Sequence, residues 1–345
     1  MDSTSEAILG WTRAAVLFIG MGIAAWMDHR DRRVPNDHWL IWSKPAIFLW
    51  ALDLMNQDAD WTIYLTASAV VAYASTAVLG RATFRDARNG SGLDRVVLLW
   101  YGLSAVGVVA GALKYQSTGP MEVLLNDGDA LGILWWRTLG VAGVIAVVDL
   151  AWRLRLLHGG ADAKALMWVA LLVPSWSTVP MPLSDVTAEA PVVLPVALAL
   201  LMWGGLAFFV IPLLMLANNL RRGHLRRLTD LRLGWHATRI PLTDVLHRHV
   251  WMLTTTMVMP DGRTEVVHTA RAPRRTPAPE EVAASVASLE ALGVTHVWVS
   301  MKMPLLVFLW PAVLPLVLVG EPTACLLYTS PSPRDLSTSR MPSSA

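Results

Sequence analysis

The chain has 345 residues, of which 54% are hydrophobic and only 16% are charged. A soluble domain carries about 25% charged residues, so this composition excludes an ordinary soluble protein and indicates a membrane protein. The single cysteine, Cys325, excludes an internal disulfide and a cysteine-rich zinc module.

Apolar stretches recur along most of the chain, each near or somewhat below the ~20 residues that a helix needs to cross a bilayer. In chain order they cover residues 8–27, 39–54, 61–79, 96–113, 131–152, 163–179, 192–216 and 304–320. The pattern predicts about eight transmembrane helices.

Lys and Arg concentrate in the loops after the first, third, fifth and seventh stretches, whereas the opposite loops are acidic. Because basic residues in short loops stay in the cytoplasm, this bias predicts that the amino terminus lies outside the cell. The first ten residues contain Asp2 and Glu6 but no basic residue, so we interpret the first stretch as an anchor rather than a cleaved signal peptide. We expect a multi-pass protein of the cell membrane, with lipid but no nucleic acid among its partners.

Residues 221–302 form the one predicted soluble part. Two β-branched runs, at 251–258 and 264–268, flank Asp261-Gly262, which predicts a hairpin. Pro279 begins a predicted helix that continues to Ala291 before the stop signal at Gly293, and residues 294–300 predict another strand.

These elements predict an all-α polytopic membrane protein with a small cytoplasmic α+β domain before the last helix. The expected parts are a transmembrane core at 7–220, the α+β domain at 221–302, a last transmembrane helix at 303–320, and a non-native tail at 325–345. That tail is rich in Ser, Pro and Thr and has no apolar period.

The first candidate site residue is Asp28, at the cytoplasmic end of the first stretch. Val34-Pro35 prevents the helix from continuing, because proline lacks an N–H and disfavours helical geometry in its predecessor. The sequence therefore places Asp28 near the last helical turn, followed by Arg32, Pro35 and Asn36.

The second candidate is Asp162, which enters the sixth stretch from the same predicted side. Gly159 and Gly160 precede it and allow close backbone approach, and a carboxylate at a helix amino terminus is favoured by the free N–H groups. Taken singly, Asp28 fits a solvated flank and Asp162 a helix cap. Two carboxylates at one depth on one face of a membrane are, together, a functional-site candidate.

The motif pair resembles the type IV prepilin peptidases, and among them the archaeal preflagellin or pre-pilin peptidases. The resemblance rests on Asp28 followed by Val34-Pro35-Asn36, on Gly160-Ala161-Asp162-Ala163-Lys164, and on residues 296–304 before the last stretch. The chain departs from the wider family in having Ala161 where glycine usually precedes the aspartate, and in exceeding the usual six spans.

The resemblance implies an intramembrane aspartyl endopeptidase that removes a short basic leader from type IV pilin-like or archaeal flagellin precursors at the cytoplasmic membrane boundary. Asp28 and Asp162 would be catalytic, one ionised and one protonated, and either one could serve as the base. Lys164 and Arg32 fit a supporting role or ordinary membrane flanks. We expect no cofactor, and the histidine spacing fits no simple metal site.

Two other functions fit the same sequence. A transporter would use the aspartates to bind a proton or cation, although such sites tend to lie at the bilayer midplane. An inactive scaffold would bind the precursors without cleaving them.

Overall fold

The structure is a computed structural model that describes residues 3–88, 92–125, 127–157, 159–183, 194–225, 230–260, 263–271, 273 and 277–323. Of these described residues, 70% are helical. The described residues up to Gly204 and from Pro304 onward form one compact unit, and Gly205–Met303 form a second. The predicted non-native tail at 325–345 lies outside the described residues.

Helices account for nearly all of the first unit, whereas the second unit also contains strands. In chain order, the helices of both units are α1 (Ser3–Asp31), α2 (Asn36–Asn56), α3 (Trp61–Leu79), α4 (Phe84–Arg88), α5 (Gly92–Lys114), α6 (Pro120–Leu125), α7 (Ala130–Arg153), α8 (Gly160–Leu172), α9 (Val196–Arg221), α10 (Leu231–Gly234), α11 (Pro279–Ala291) and α12 (Leu306–Leu318). Helices α10 and α11 and part of α9 belong to the second unit.

Among the described residues, five helices are long and apolar enough to cross a membrane, namely α1, α3, α5, α7 and α9. This confirms the multi-pass helical class. The other three predicted spans correspond to α2, α8 and α12. Helix α2 has 21 residues but contains Asp37, Lys44 and Asp53, while α8 and α12 have 13 residues each. The count of eight spans stays a prediction.

The sixth predicted span, 163–179, ends earlier than the sequence indicated. Helix α8 stops at Leu172, and Val173 adopts φ −127° and ψ 76°. The physical reason is Pro174, which disfavours helical geometry in the residue before it. The chain then forms a short 3₁₀ helix at Trp176–Thr178.

The core of the first unit is built around α8. Ala163 and every residue from Ala165 to Leu172 are buried. Helices α1, α2, α3, α7 and α12 all contact α8. After Lys164 the helix is entirely apolar and has no exposed face, which is the pattern of an element enclosed by its neighbours.

Helix α5 packs through small residues. Its buried residues are Ser104, Gly107 and Gly111, while most of its leucines and valines are exposed. A Cβ added at Gly107 would lie 2.1 Å from the Cβ of Leu65. Such small-residue contacts are typical of helices that approach closely within a membrane.

The second unit contains a small α/β region. Its strands are β1 (Thr238–Pro241), β2 (Val250–Met252), β3 (Thr254–Val258), β4 (Thr264–His268) and β5 (His296–Met301). An antiparallel sheet has the order β1-β5-β2, with Ile240 opposite Val297 and Trp251 opposite Ser300, and β3 pairs with β4 as a separate hairpin. The prediction of an α+β region near the carboxyl end is confirmed, and its cytoplasmic location stays a prediction.

The predicted strand at 251–258 is in fact two strands that separate at Leu253. The N–H of Leu253 donates to the carbonyl of Trp298, and the buried Thr254 hydroxyl accepts a hydrogen bond from the N–H of Trp298 at 2.9 Å. These two contacts divert the chain from the sheet into the hairpin. The predicted turn at Asp261-Gly262 lies outside the described residues, whereas the helix Pro279–Ala291 has the predicted bounds.

Candidate active site

Asp28 lies in the last turn of α1, as the sequence predicts. The helix ends at Asp31, and Arg32 takes a left-handed conformation with φ +56°. The N–H of Arg32 donates to the carbonyl of Asp28 at 3.1 Å, which closes the helix end. The Asp28 residue is only 8% exposed, so its carboxyl group is held among protein atoms rather than in a loop.

Pro35 and Asn36 connect Asp28 to the next helix. Pro35 is the residue before α2, with φ −65° and ψ 152°, and Asn36 begins that helix. The amide nitrogen of Asn36 donates to the carbonyl of Val78 at 2.9 Å. The turn after Asp28 is therefore tied to the end of α3.

Asp162 lies in the first turn of α8, two residues after the helix begins at Gly160. Its side chain folds back over Gly159, since a Cβ added there would lie 2.2 Å from Asp162 Oδ2. The other carboxyl oxygen, Oδ1, is buried and accepts no hydrogen bond. Gly160 is less crowded, because its added Cβ would be 3.2 Å from the Trp152 ring.

The fold brings the two aspartates close enough to interact. Helices α1 and α8 are in contact. Asp162 lies just outside the sixth predicted span, which begins at residue 163. Burial, and then the negative charge of Asp28, raise the pKa of Asp162 to about 7. Two carboxyls that interact in this way titrate as a pair, so one proton is shared between them near neutral pH.

The two aspartates differ in the positively charged side chains that act on them. Arg32 and His29 act electrostatically on Asp28, whereas the shift in the pKa of Asp162 comes from burial and from Asp28. The Nε atom of Arg32 is itself buried and has no hydrogen-bond partner.

Lys164 points away from Asp162 and toward α2. Its ammonium group donates to Asn36 Oδ1 at 2.7 Å and lies 5.9 Å from the centre of the Trp152 ring. Sequence reasoning flagged Lys164 and Asn36 separately but did not pair them, and it missed Trp152 and Val78. No local spacing connects residues so far apart in the chain.

The structure brings the predicted site residues Asp28, Arg32, Asn36, Asp162 and Lys164 to adjoining ends of α1, α2 and α8. Pro35 and Gly159 lie in the connecting turns, and Gly160 is the first residue of α8. His158 lies outside the described residues. Within the described part of the chain, no three His, Cys, Asp or Glu residues come together as a metal site.

Comparison of the chain with protein-family models gave no match, and a search of curated proteins gave none either.

Proposed function

We propose that this protein is a membrane aspartyl endopeptidase in which Asp28 and Asp162 are the catalytic pair. One observation carries the proposal: a buried carboxyl at the end of α1 and a carboxyl at the start of α8 interact strongly enough for one charge to act on the other. Perturbed carboxyl pairs of this kind are typical of functional sites, because burying them has a cost that packing alone does not repay.

The asymmetry between the two groups favours a division of roles. With a pKa of about 7, Asp162 is the member of the pair that holds the shared proton near neutral pH, which leaves Asp28 as the ionised member. We assign Asp28 as the general base and Asp162 as the general acid.

Hydrolysis then needs only a water molecule and the peptide. Asp28 takes a proton from the water, whose oxygen attacks the scissile carbonyl carbon, while Asp162 gives its proton to the carbonyl oxygen. In the second step the proton on Asp28 passes to the amide nitrogen, the C–N bond breaks, and a hydroxyl of the diol returns its proton to Asp162. The pair regains its starting state.

The proposed substrates are precursors of type IV pilin-like proteins or archaeal flagellins, each with a short basic leader followed by an apolar helix. The family resemblance of the motifs and the multi-pass helical class support this choice. The apolar helix would lie between membrane helices of the enzyme, which puts the leader junction at the depth of helix ends such as those that carry Asp28 and Asp162. The site would face the cytoplasm.

Cleavage of a pilin-like precursor in membranes tests the function. Asp28→Asn and Asp162→Asn each keep the size of the side chain but remove its acid–base chemistry, so we expect both to lower the cleavage rate by at least about 10²-fold. Product formation would be followed by the mobility of the precursor and by mass spectrometry.

Asp31→Asn is the matched control, because Asp31 lies in the same turn as Asp28 but is exposed and pairs with Arg30 at 3.5 Å. This variant should cleave at the rate of the unaltered chain. Full cleavage by either Asp28→Asn or Asp162→Asn would refute the assignment, and binding of the precursor without any cleavage by the unaltered chain would favour a scaffold.

A further inference from the structure

Three hydrogen-bonding groups link α8 to its neighbours beside the candidate active site. Lys164, two residues after Asp162, donates to Asn36 Oδ1 at 2.7 Å. Asn36 in turn donates through its amide nitrogen to the carbonyl of Val78 at 2.9 Å. The first turn of α8 is thus connected through one side chain to the start of α2 and the end of α3.

Asn36 is suited to this place because its amide offers an acceptor and a donor at once. The oxygen receives the lysine, and the nitrogen satisfies a carbonyl in the last turn of α3, which has no partner within its own helix. Lys164 is partly buried, and its ammonium lies over the Trp152 ring of α7, 5.9 Å from the ring centre. Contacts to α2 and α7 hold this lysine in place.

Asp162 has few restraints of its own. Its Oδ1 accepts no hydrogen bond, and the residue before α8 is Gly159, which has no side chain to cap the helix. The position of the carboxyl group therefore depends on how firmly the first turn of α8 is held by its neighbours.

We propose that Lys164 is a positioning residue, which fixes the first turn of α8, and with it Asp162, through its hydrogen bond to Asn36. The inference rests on the proposed function for its catalytic consequence, but the placement of Asp162 can be measured without catalysis. Residues at positions i and i+2 of a helix do not face each other, and the Lys164 ammonium is bound to Asn36, so the role of Lys164 is geometric rather than electrostatic.

Kinetics on the full chain give the first test. Lys164→Met should lower kcat for precursor cleavage by about 10- to 100-fold, since a displacement of about 1 Å at a catalytic group has a cost of that order. The KM and the pH profile should stay unchanged, and Lys164→Arg should retain most of the rate because it can still donate to Asn36. Lys44→Met, on an exposed lysine of α2, is the control and should be fully active.

Asn36→Ala provides a second variant that acts from the other side of the contact. If the two residues work through one hydrogen bond, the double variant Lys164→Met/Asn36→Ala should be no slower than the slower single variant. A double variant slowed by the product of the two single effects, or a Lys164→Met variant with full kcat, would overturn the proposal.

Cross-linking gives a test that needs no cleavage. Asp28→Cys and Asp162→Cys, in a Cys325→Ser background, would be joined by a short bis-maleimide in membranes. We expect the cross-linked fraction to fall several-fold when Lys164→Met is added and to recover with Lys164→Arg. Equal yields in all three backgrounds would contradict a positioning role.

The two assays separate the two proposals. If the unaltered chain cleaves no precursor while cross-linking still depends on Lys164, the proposed function fails and the positioning role stands. If the chain cleaves and Lys164→Met changes neither kcat nor cross-linking, the positioning role fails and the proposed function stands.

Discussion

At the scale of single residues, Gly159 and Asp162 depend on each other. The carboxyl group occupies the space where any other residue at position 159 would have its Cβ, with only 2.2 Å between the two positions. Glycine is therefore required here for the placement of Asp162 rather than for backbone conformation, since its φ of −91° is open to any residue.

Gly159→Ala should reduce precursor cleavage by at least about 10-fold, because the Asp162 carboxyl must rotate away from its position. The melting temperature in detergent should change little, since the atom displaced is the end of a side chain. Gly160→Ala is the control, as its added Cβ would be 3.2 Å from the Trp152 ring, which can yield slightly. Equal activity in the two variants would contradict the account.

The raised pKa of Asp162 predicts how stability depends on pH. In the unfolded chain an aspartate titrates near 3.9, whereas in the folded protein Asp162 titrates at about 7. The folded state binds the extra proton between these values, so the contribution of Asp162 to stability falls as the pH rises through this window, by up to about 1.4 kcal/mol per pH unit.

Asp162→Asn removes this titration. We expect the melting temperature of the variant, relative to that of the unaltered protein, to be higher at pH 8 than at pH 5. Asp31→Asn, at an exposed carboxylate, serves as the control and should show no such change. A difference between Asp162→Asn and the unaltered protein that is the same at both pH values would mean that Asp162 is not buried as described.

At the scale of elements, α8 combines a length too short for a full membrane span with nearly complete burial. Its 13 residues extend about 20 Å, against the roughly 30 Å of the hydrocarbon core. Because other helices surround α8, its end at Leu172 is enclosed by protein rather than lipid, which is where a membrane protein tolerates a helix break. The same enclosure holds Asp162 in place within the helix bundle.

The contact between α3 and α5 predicts different effects for two glycines of one helix. Gly107→Ala would force α5 away from α3, because the new Cβ would be 2.1 Å from the Leu65 Cβ, with a cost of about 1–3 kcal/mol in stability. Gly102 has no neighbour within 4 Å, so Gly102→Ala should be neutral or stabilise the helix by about 0.5–1 kcal/mol. Thermal unfolding in detergent measures both, and equal effects would contradict the packing.

At the scale of the whole molecule, apolar length and turn chemistry predicted most of the elements. Five of the predicted spans correspond to helices long enough to cross a membrane, and the helix Pro279–Ala291 follows from its proline start and glycine stop. Boundaries were less predictable where tertiary contacts decide them, as at Leu253, where a buried threonine redirects a strand.

The candidate site was predictable only in part, for a physical reason. Asp28 and Asp162 are conspicuous because a carboxylate beside an apolar stretch is unusual. The contact between Lys164 and Asn36 has no such signal, since both residue types are ordinary at a helix end and only the packing of α2 against α8 brings them together.

The central claim is that Asp28 and Asp162 act as one catalytic unit. The most direct test compares the cleavage rates of Asp28→Asn, Asp162→Asn and the double variant on one precursor. Substitutions at residues that act as a unit have strongly non-additive effects on the rate. We therefore expect the double variant to be no slower than the slower of the two single variants. A double variant slowed by the product of the two separate effects would contradict it.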